Sequence, residues 1–230
     1  MRILAIIPAR GGSKGVPRKN LKHLKGIPLI DHTINALKNV SEITKIVVST
    51  DDFEISCHVQ KLGIEVIMRP SELAQDNSLV QDAVDHTIKE LEKVGEIFDT
   101  IFLFEPTSPI KRQIDIIEAI NILKSDEVDS VASFTEFKTP PSRAWRIVDC
   151  DTIKPFIEGS TPFLPRQSLE KGYYLNGVLY GAKRSSLEKF AAKSFLVGKI
   201  KSIIIPEEFV IDIDSPNDFL LAEFLMSINE

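Results

Sequence analysis

I-I-P-A-R-G-G-S-K-G-V-P-R-K-N, residues 6–20, is the stretch on which the reading of this chain turns. It completes a short apolar run, Ile3 to Ile7, that reads as a buried strand, and then sets Gly11 and Gly12 where a backbone can turn tightly and meet a ligand without a Cβ in the way. Arg10, Lys14, Arg18 and Lys19 surround that backbone. Successive N–H groups in such a turn form an anion-binding concavity, and cationic heads add charge-assisted hydrogen bonds, so the fitting guest is a polyphosphate, a nucleoside triphosphate first of all. A plain glycine turn with solvated charges is the competing account. The spacing is neither G-x-x-x-x-G-K-[ST] nor G-x-G-x-x-G, which takes support from P-loop ATPases and from dehydrogenases alike.

Outward from this stretch, apolar strand-like runs at Ile3–Ile7, Lys45–Ser49, Glu65–Met68, Thr100–Phe104 and Ser130–Phe134 alternate with amphipathic stretches near Leu29–Leu37, Phe53–Leu62, Val80–Val94 and Ile114–Leu123. That alternation predicts a three-layer, Rossmann-like α/β fold with a mostly parallel sheet. Ligands of such sheets bind beyond the carboxyl ends of the strands, where the segments after Ile7, Ser49 and Phe104 converge. From Lys138 to Tyr174 the periodicity fades among five prolines, 140, 141, 155, 162 and 165, and strand character resumes at Val178–Tyr180. The expectation is one domain over residues 1–230 with a lobe inserted at 138–180. Ser215-Pro216-Asn217-Asp218 reads as an N-cap, a first-turn proline and an early acid, opening a helix that runs to Leu225.

At 230 residues the chain can bury a sizeable core, and its net charge of −5 disfavours a generic grip on nucleic acid. Cys57 and Cys150 have no C-x-x-C spacing and fit reduced thiols in a cytoplasmic protein. No apolar run approaches the roughly 20 residues of a membrane helix, so no membrane partner is expected. His23, His32, His58 and His86 stand singly, away from any nucleophile motif, and receive no catalytic role.

A-R-G-G-S-K-G followed by P-x-K-N resembles the signature of the cytidylyltransferases that activate sialic acid and related nonulosonic acids, the CMP-sialic acid synthetase family. Four more segments match that family in order: Arg69-Pro70-x-Glu72-Leu73-Ala74-x-Asp76, Pro106-Thr107-Ser108-Pro109, Pro165-Arg166-Gln167-x-Leu169 with Asn176-Gly177-x-x-Tyr180, and the pair Asp212 and Asp214. The resemblance implies a Mg²⁺-dependent nucleotidyltransferase that joins CTP to a nonulosonic acid, legionaminic acid or another derivative among them, giving a CMP-sugar and pyrophosphate. It also implies a homodimer in which the inserted lobe reaches over the partner's active site; Trp145, after Pro140-Pro141, reads as a lobe or subunit-contact anchor rather than a base-stacking platform. A CMP-Kdo synthetase-like enzyme and a non-catalytic nucleotide-binding module on the same sheet are the alternatives.

Residue by residue, Ala9 to Ser13 supply backbone to the nucleotide; Arg10 and Lys14 meet the triphosphate, with Lys19 nearby, and Asn20 offers an amide to base or ribose. Arg18 reads as surface charge. Arg69 and Asp76 are nucleotide contacts by resemblance, a turn and helix cap by composition. Asp212 and Asp214 sit two apart on an apolar run, which puts both on one face of a strand; a hard metal asks for such oxygens, and an acidic strand end feeding a helix cap is the other account. For the sugar, Glu105, Thr107 and Ser108 lie on a proline-stiffened loop, Arg166 suits the sugar carboxylate as a planar bidentate partner, and Gln167, Asn176 and Tyr180 can hydrogen-bond substituents. Taken singly, Asn176-Gly177 is a hairpin turn and Tyr180 a core aromatic. The family writes glutamine where this chain has Glu105; a carboxylate only accepts hydrogen bonds whereas an amide also donates.

Overall fold

The computed structural model describes residues 1–190 and 194–228. In chain order it contains β1 (Ile3–Pro8), a two-residue hairpin of β2 (His23–Leu24) and β3 (Ile27–Pro28), α1 (Leu29–Lys38), β4 (Lys45–Thr50), α2 (Phe53–Lys61), β5 (Glu65–Met68), α3 (Val80–Lys93), β6 (Thr100–Leu103) and α4 (Gln113–Leu123). β7 (Ser130–Glu136), β8 (Trp145–Val148), β9 (Thr152–Pro155), β10 (Tyr173–Lys183), α5 (Arg184–Phe190), β11 (Ile200–Ile204) and α6 (Pro216–Ile228) follow. Seven strands form one sheet in the order β11-β7-β10-β6-β1-β4-β5, and only the pairs made by β10 are antiparallel. The α/β expectation holds.

β1 shows why. Its alternate side chains go to opposite faces, Ile3, Ala5 and Ile7 into a core shared with Ile34 of α1, Val59 of α2 and Ile120 of α4, and Leu4 and Ile6 into one shared with Val84, Ile88 and Leu91 of α3. A strand covered on both faces needs an unbroken apolar run, and Ile3 to Ile7 is at most 1% exposed. α2 starts where the Asp52 side chain accepts the Ile55 N–H at 2.9 Å, and α6 where Asp218 accepts the Ser215 N–H at 2.6 Å, two caps that hold helix starts beside the same sheet edge.

Three expectations are revised. Residues 173–180 belong to β10 in the central sheet, so the excursion from that sheet lies between Glu136 and Tyr173 and carries the separate β8–β9 hairpin. Asn176-Gly177 lies within β10 at a register shift against β7, between Leu175 and Tyr180, and not at a hairpin turn; Gly177 takes φ 73° there. Val210 to Asp214 forms no strand: it keeps the alternation, with Ile211 and Ile213 buried and Asp212 and Asp214 exposed, but the Ile213 N–H bonds the Thr107 carbonyl at 2.9 Å instead of a ladder.

Candidate active site

The segments that leave the carboxyl ends of β1, β5 and β6 enclose a cleft of about 340 Å³. Arg10, Gly12, Ser13, Lys19 and Asn20 line it from the first loop, Arg69 and Asp76 from the segment after β5, and Glu105 and Thr107 from the loop after β6. Sequence reading had named every one of these. The chain order of the motifs therefore becomes a spatial ring.

The first loop is fastened at several points. The Gly11 N–H donates to Asp51 Oδ1 at 3.0 Å, so that amide already has a carboxylate partner, and the Asn20 amide, buried at 7% exposure, donates to the Arg10 carbonyl at 3.0 Å. Ala9 is buried, its N–H on the Ser49 carbonyl. Close approach, not unusual φ, explains two of the glycines. A Cβ on Gly11 would stand 2.5 Å from Asp52 Oδ2, and one on Gly15 only 2.0 Å from the Asp214 carbonyl oxygen. The left-handed position falls on Arg18, φ 58°, whose guanidinium pairs with Asp52 at 2.7 Å and with Glu54, clamping the start of α2.

Arg10 and Lys14 both reach Asp76, at 2.9 and 2.5 Å, and those two cations hold its carboxyl below the usual range, Lys14 most of all. One carboxylate thus spans the two side chains that sequence reading gave to a triphosphate. Arg69 is 8% exposed, and its Nε is without a hydrogen-bond partner among the described residues. Burial, with Arg10 in support and Asp51 opposing, lowers its pKa. A buried guanidinium with an open donor is suited to an anionic ligand.

Lys19 ties the loop to the acid pair: its Nζ donates to the Ile213 carbonyl at 2.5 Å and to Asp214 Oδ1 at 2.9 Å. The Asp212 residue is exposed by surface area, but the protein atoms around its carboxyl partly desolvate it and raise its pKa; the neighbouring charges of Asp214 and Asp218 act in the same direction, and the Thr107 hydroxyl and Lys19 oppose it. Glu105 is raised by burial and by Asp212, against Lys111; Tyr180 is pushed up to about 12 by burial, Glu105 and Asp212. Glu105, Asp212 and Tyr180 thus share one hollow, with Lys19 and Lys111 as its cations. Among the described residues no group of three or more His, Cys, Asp or Glu is placed to hold a metal ion, so a cation here would have Asp212 and Asp214 as its carboxylate ligands.

Other expected residues lie elsewhere. Ser108 is buried, its hydroxyl on the Asn176 carbonyl. The Asn176 side chain is turned into the sheet: Oδ1 accepts from Ser133 Oγ at 2.5 Å and from the Val178 N–H at 3.2 Å, and Nδ2 donates to Thr135 Oγ1 at 2.9 Å. This network braces the irregular step of β10. Asn176→Ala strands its buried partners and is expected to cost about 2 kcal/mol, read as a lower midpoint in a denaturant melt. Arg166 and Gln167 lie on an exposed turn; Arg166 lines a different hollow with Glu136, Lys138 and Glu207.

Sequence reading missed Asp51, which receives the loop amide, and Lys111, which lies under the Glu105 loop. The doublet Asp51-Asp52 after a buried strand was a usable signal. Nothing in Ile110-Lys111-Arg112 separates a buried lysine from a solvated one.

Residues 4–180 match the sequence profile of the family described as cytidylyltransferase. A CMP-N,N'-diacetyllegionaminic acid synthase of Legionella pneumophila is 35% identical over 235 residues, covering 100% of this chain and 98% of that protein. An N-acylneuraminate cytidylyltransferase of Streptococcus agalactiae serotype V is 32% identical over 222 residues, 96% of this chain but 52% of that protein, so the chain spans about half the length of that relative. A solved CMP:2-keto-3-deoxy-manno-octonic acid synthetase complexed with CTP superposes with a TM-score of 0.71 at 19% identity, covering 100% of both chains, which speaks for the fold alone. The matched residues include the cation-rich first loop, the buried Arg69 and the Glu105 loop that line the cleft, and the chain belongs to the cytidylyltransferase family.

Proposed function

We propose that the chain transfers a cytidylyl group from CTP to a hydroxyl of a nonulosonic acid, releasing pyrophosphate. The acceptor oxygen bonds the α-phosphorus, the bond from that phosphorus to the β-phosphate bridge breaks, and the hydroxyl proton is released. The observation that carries this reading is the Lys19–Asp214 link, which joins the cationic loop to the acidic pair beside Glu105 and Tyr180. Charge accumulates on the phosphates during such transfer, and positioned cations do most of the catalysis. Arg10, Lys14 and Arg69 supply them, Asp76 giving way to the triphosphate as counter-charge. Asp212 and Asp214 would hold Mg²⁺, which when bound neutralises phosphate oxygens.

The acceptor class is supported by relatives named for N-acylneuraminate, N,N'-diacetyllegionaminic acid and pseudaminic acid, the last 30% identical to this chain over 232 residues in Campylobacter jejuni. The excursion between β7 and β10 exposes Trp145, Ile147, Ile153, Phe156 and Phe163, an apolar surface suited to a second copy of the chain, which would bring Arg166 and Gln167 toward the partner's cleft. Among the described residues no helix is long and apolar enough to cross a membrane, and free Cys57 and Cys150 suit a cytoplasmic enzyme.

The test is pyrophosphate release from CTP and Mg²⁺ with a panel of nonulosonic acids and Kdo. Release with Kdo alone, or with no acceptor in the panel, overturns the reading. Within the same panel, Glu105→Gln is expected to reorder acceptor preference several-fold, because it adds a donor where the chain has only acceptors. An unchanged order removes Glu105 from the sugar contacts.

A further inference from the structure

A lysine that no motif singled out lies under the acceptor side of the cleft. Lys111 is 9% exposed, and its ammonium donates to three carbonyls: Glu105 at 3.0 Å, Ser108 at 2.7 Å and Val178 at 2.9 Å. Two of these belong to the loop after β6, the third to β10. One buried head group therefore closes the loop on itself and seals it to the strand that carries Tyr180.

The tie continues into the acid pair. Thr107, between the two loop carbonyls, accepts the Ile213 N–H at 2.9 Å through its own carbonyl and gives its hydroxyl to Asp212. Gly177 completes the fit, because a Cβ there would stand 3.1 Å from both Glu105 Oε2 and Ser108 Oγ. Displacing the loop thus displaces Glu105, Thr107 and Asp212 together.

The charge matters as well as the geometry. Burial pulls Lys111 down to about 7, with Glu105 and Asp212 opposing. Three carbonyls use three N–H donors, which only the charged ammonium has; the neutral amine has two. The ring of Phe104 lies 5.9 Å from the Nζ. The carboxylates that act on this cation are those of Glu105 and Asp212.

We propose that Lys111 is a positioning residue for cytidylyl transfer: it sets the Glu105–Thr107 loop and, through Thr107, the Asp212 carboxylate, while making no contact with substrate. This rests on the functional reading above, and one of its tests is independent of that reading. Lys111→Met keeps the stem and removes all three donors; Lys111→Gln keeps two N–H donors without the charge.

In the folded Met variant, hydrogen exchange over residues 104–111 is expected to rise at least tenfold, whatever the substrate proves to be. With CTP and an accepted sugar, kcat is expected to fall about 100-fold for Met and about tenfold for Gln, since an ångström of misplacement is worth that much. CTP affinity by titration calorimetry stays within threefold, because Arg10, Lys14 and Arg69 are untouched. Unchanged exchange in the loop, or kcat within threefold of the parent, overturns the proposal. So does a loss of CTP affinity that matches the loss of kcat, which marks general damage. If the Met variant does not fold, the Gln variant decides by the same measures. A parent protein that turns over no nonulosonic acid sinks the function and leaves the exchange result to decide Lys111.

Discussion

Asp212→Asn is expected to lower turnover with Mg²⁺ and CTP on the order of 10²–10³-fold while leaving the fold intact. The substitution keeps size and shape and removes one carboxylate from the hollow that Glu105 and Tyr180 share. Stabilisation of charge that develops on a transferring group has that order of magnitude when one element of it is deleted. The carboxyl has its pKa raised in the folded chain, chiefly by partial desolvation, so the charged form is disfavoured there and the neutral amide carries no matching penalty. The melting midpoint should therefore stay level or rise. Steady-state kinetics at saturating CTP, with a thermal melt alongside, make the check. Parental activity in the Asn variant would remove Asp212 from the reaction.

Gly15→Ala is expected to be nearly as damaging, for a different reason. Its Cβ would lie 2.0 Å from the Asp214 carbonyl oxygen, a main-chain atom that cannot swing away as a side-chain tip can. Either the first loop or the acid segment has to retreat by about an ångström, which is worth about 100-fold in rate where geometry limits transfer. The Lys19–Asp214 bond, at 2.9 Å, lengthens with it. A lower midpoint should accompany the loss, and CTP affinity should fall less than kcat. A variant with parental kcat and midpoint would mean that the two segments are not in contact in solution.

Much of this architecture was legible in the residues. Ile3 to Ile7 announces a strand buried on both faces, and the ends of α1 to α4 fall within one residue of the positions that periodicity indicates. The ring of residues around the cleft was legible because each motif follows a readable strand. What escaped depends on contacts between distant segments. The alternation of Val210 to Asp214 mimics a strand, but a ladder needs a free neighbouring edge, and the Thr107 carbonyl takes the bond instead. β10 was under-read because its two halves pair with β7 in different registers, so period two does not run through Asn176 and Gly177. Lys111 was invisible for a similar reason: one of its acceptors lies 67 residues further along the chain.

The bond from Lys19 to Asp214 spans 195 positions. A ribosome adding roughly 5–20 residues per second needs about 10–40 s to make that stretch. Within that interval the basic turn gains Asp51 and Asp76 as partners but not yet Asp214. The tie between the first turn and the acid segment therefore closes only when nearly the whole chain has been made, and a polypeptide cut short before residue 212 would leave Lys19 and the Thr107 carbonyl without their partners in that segment.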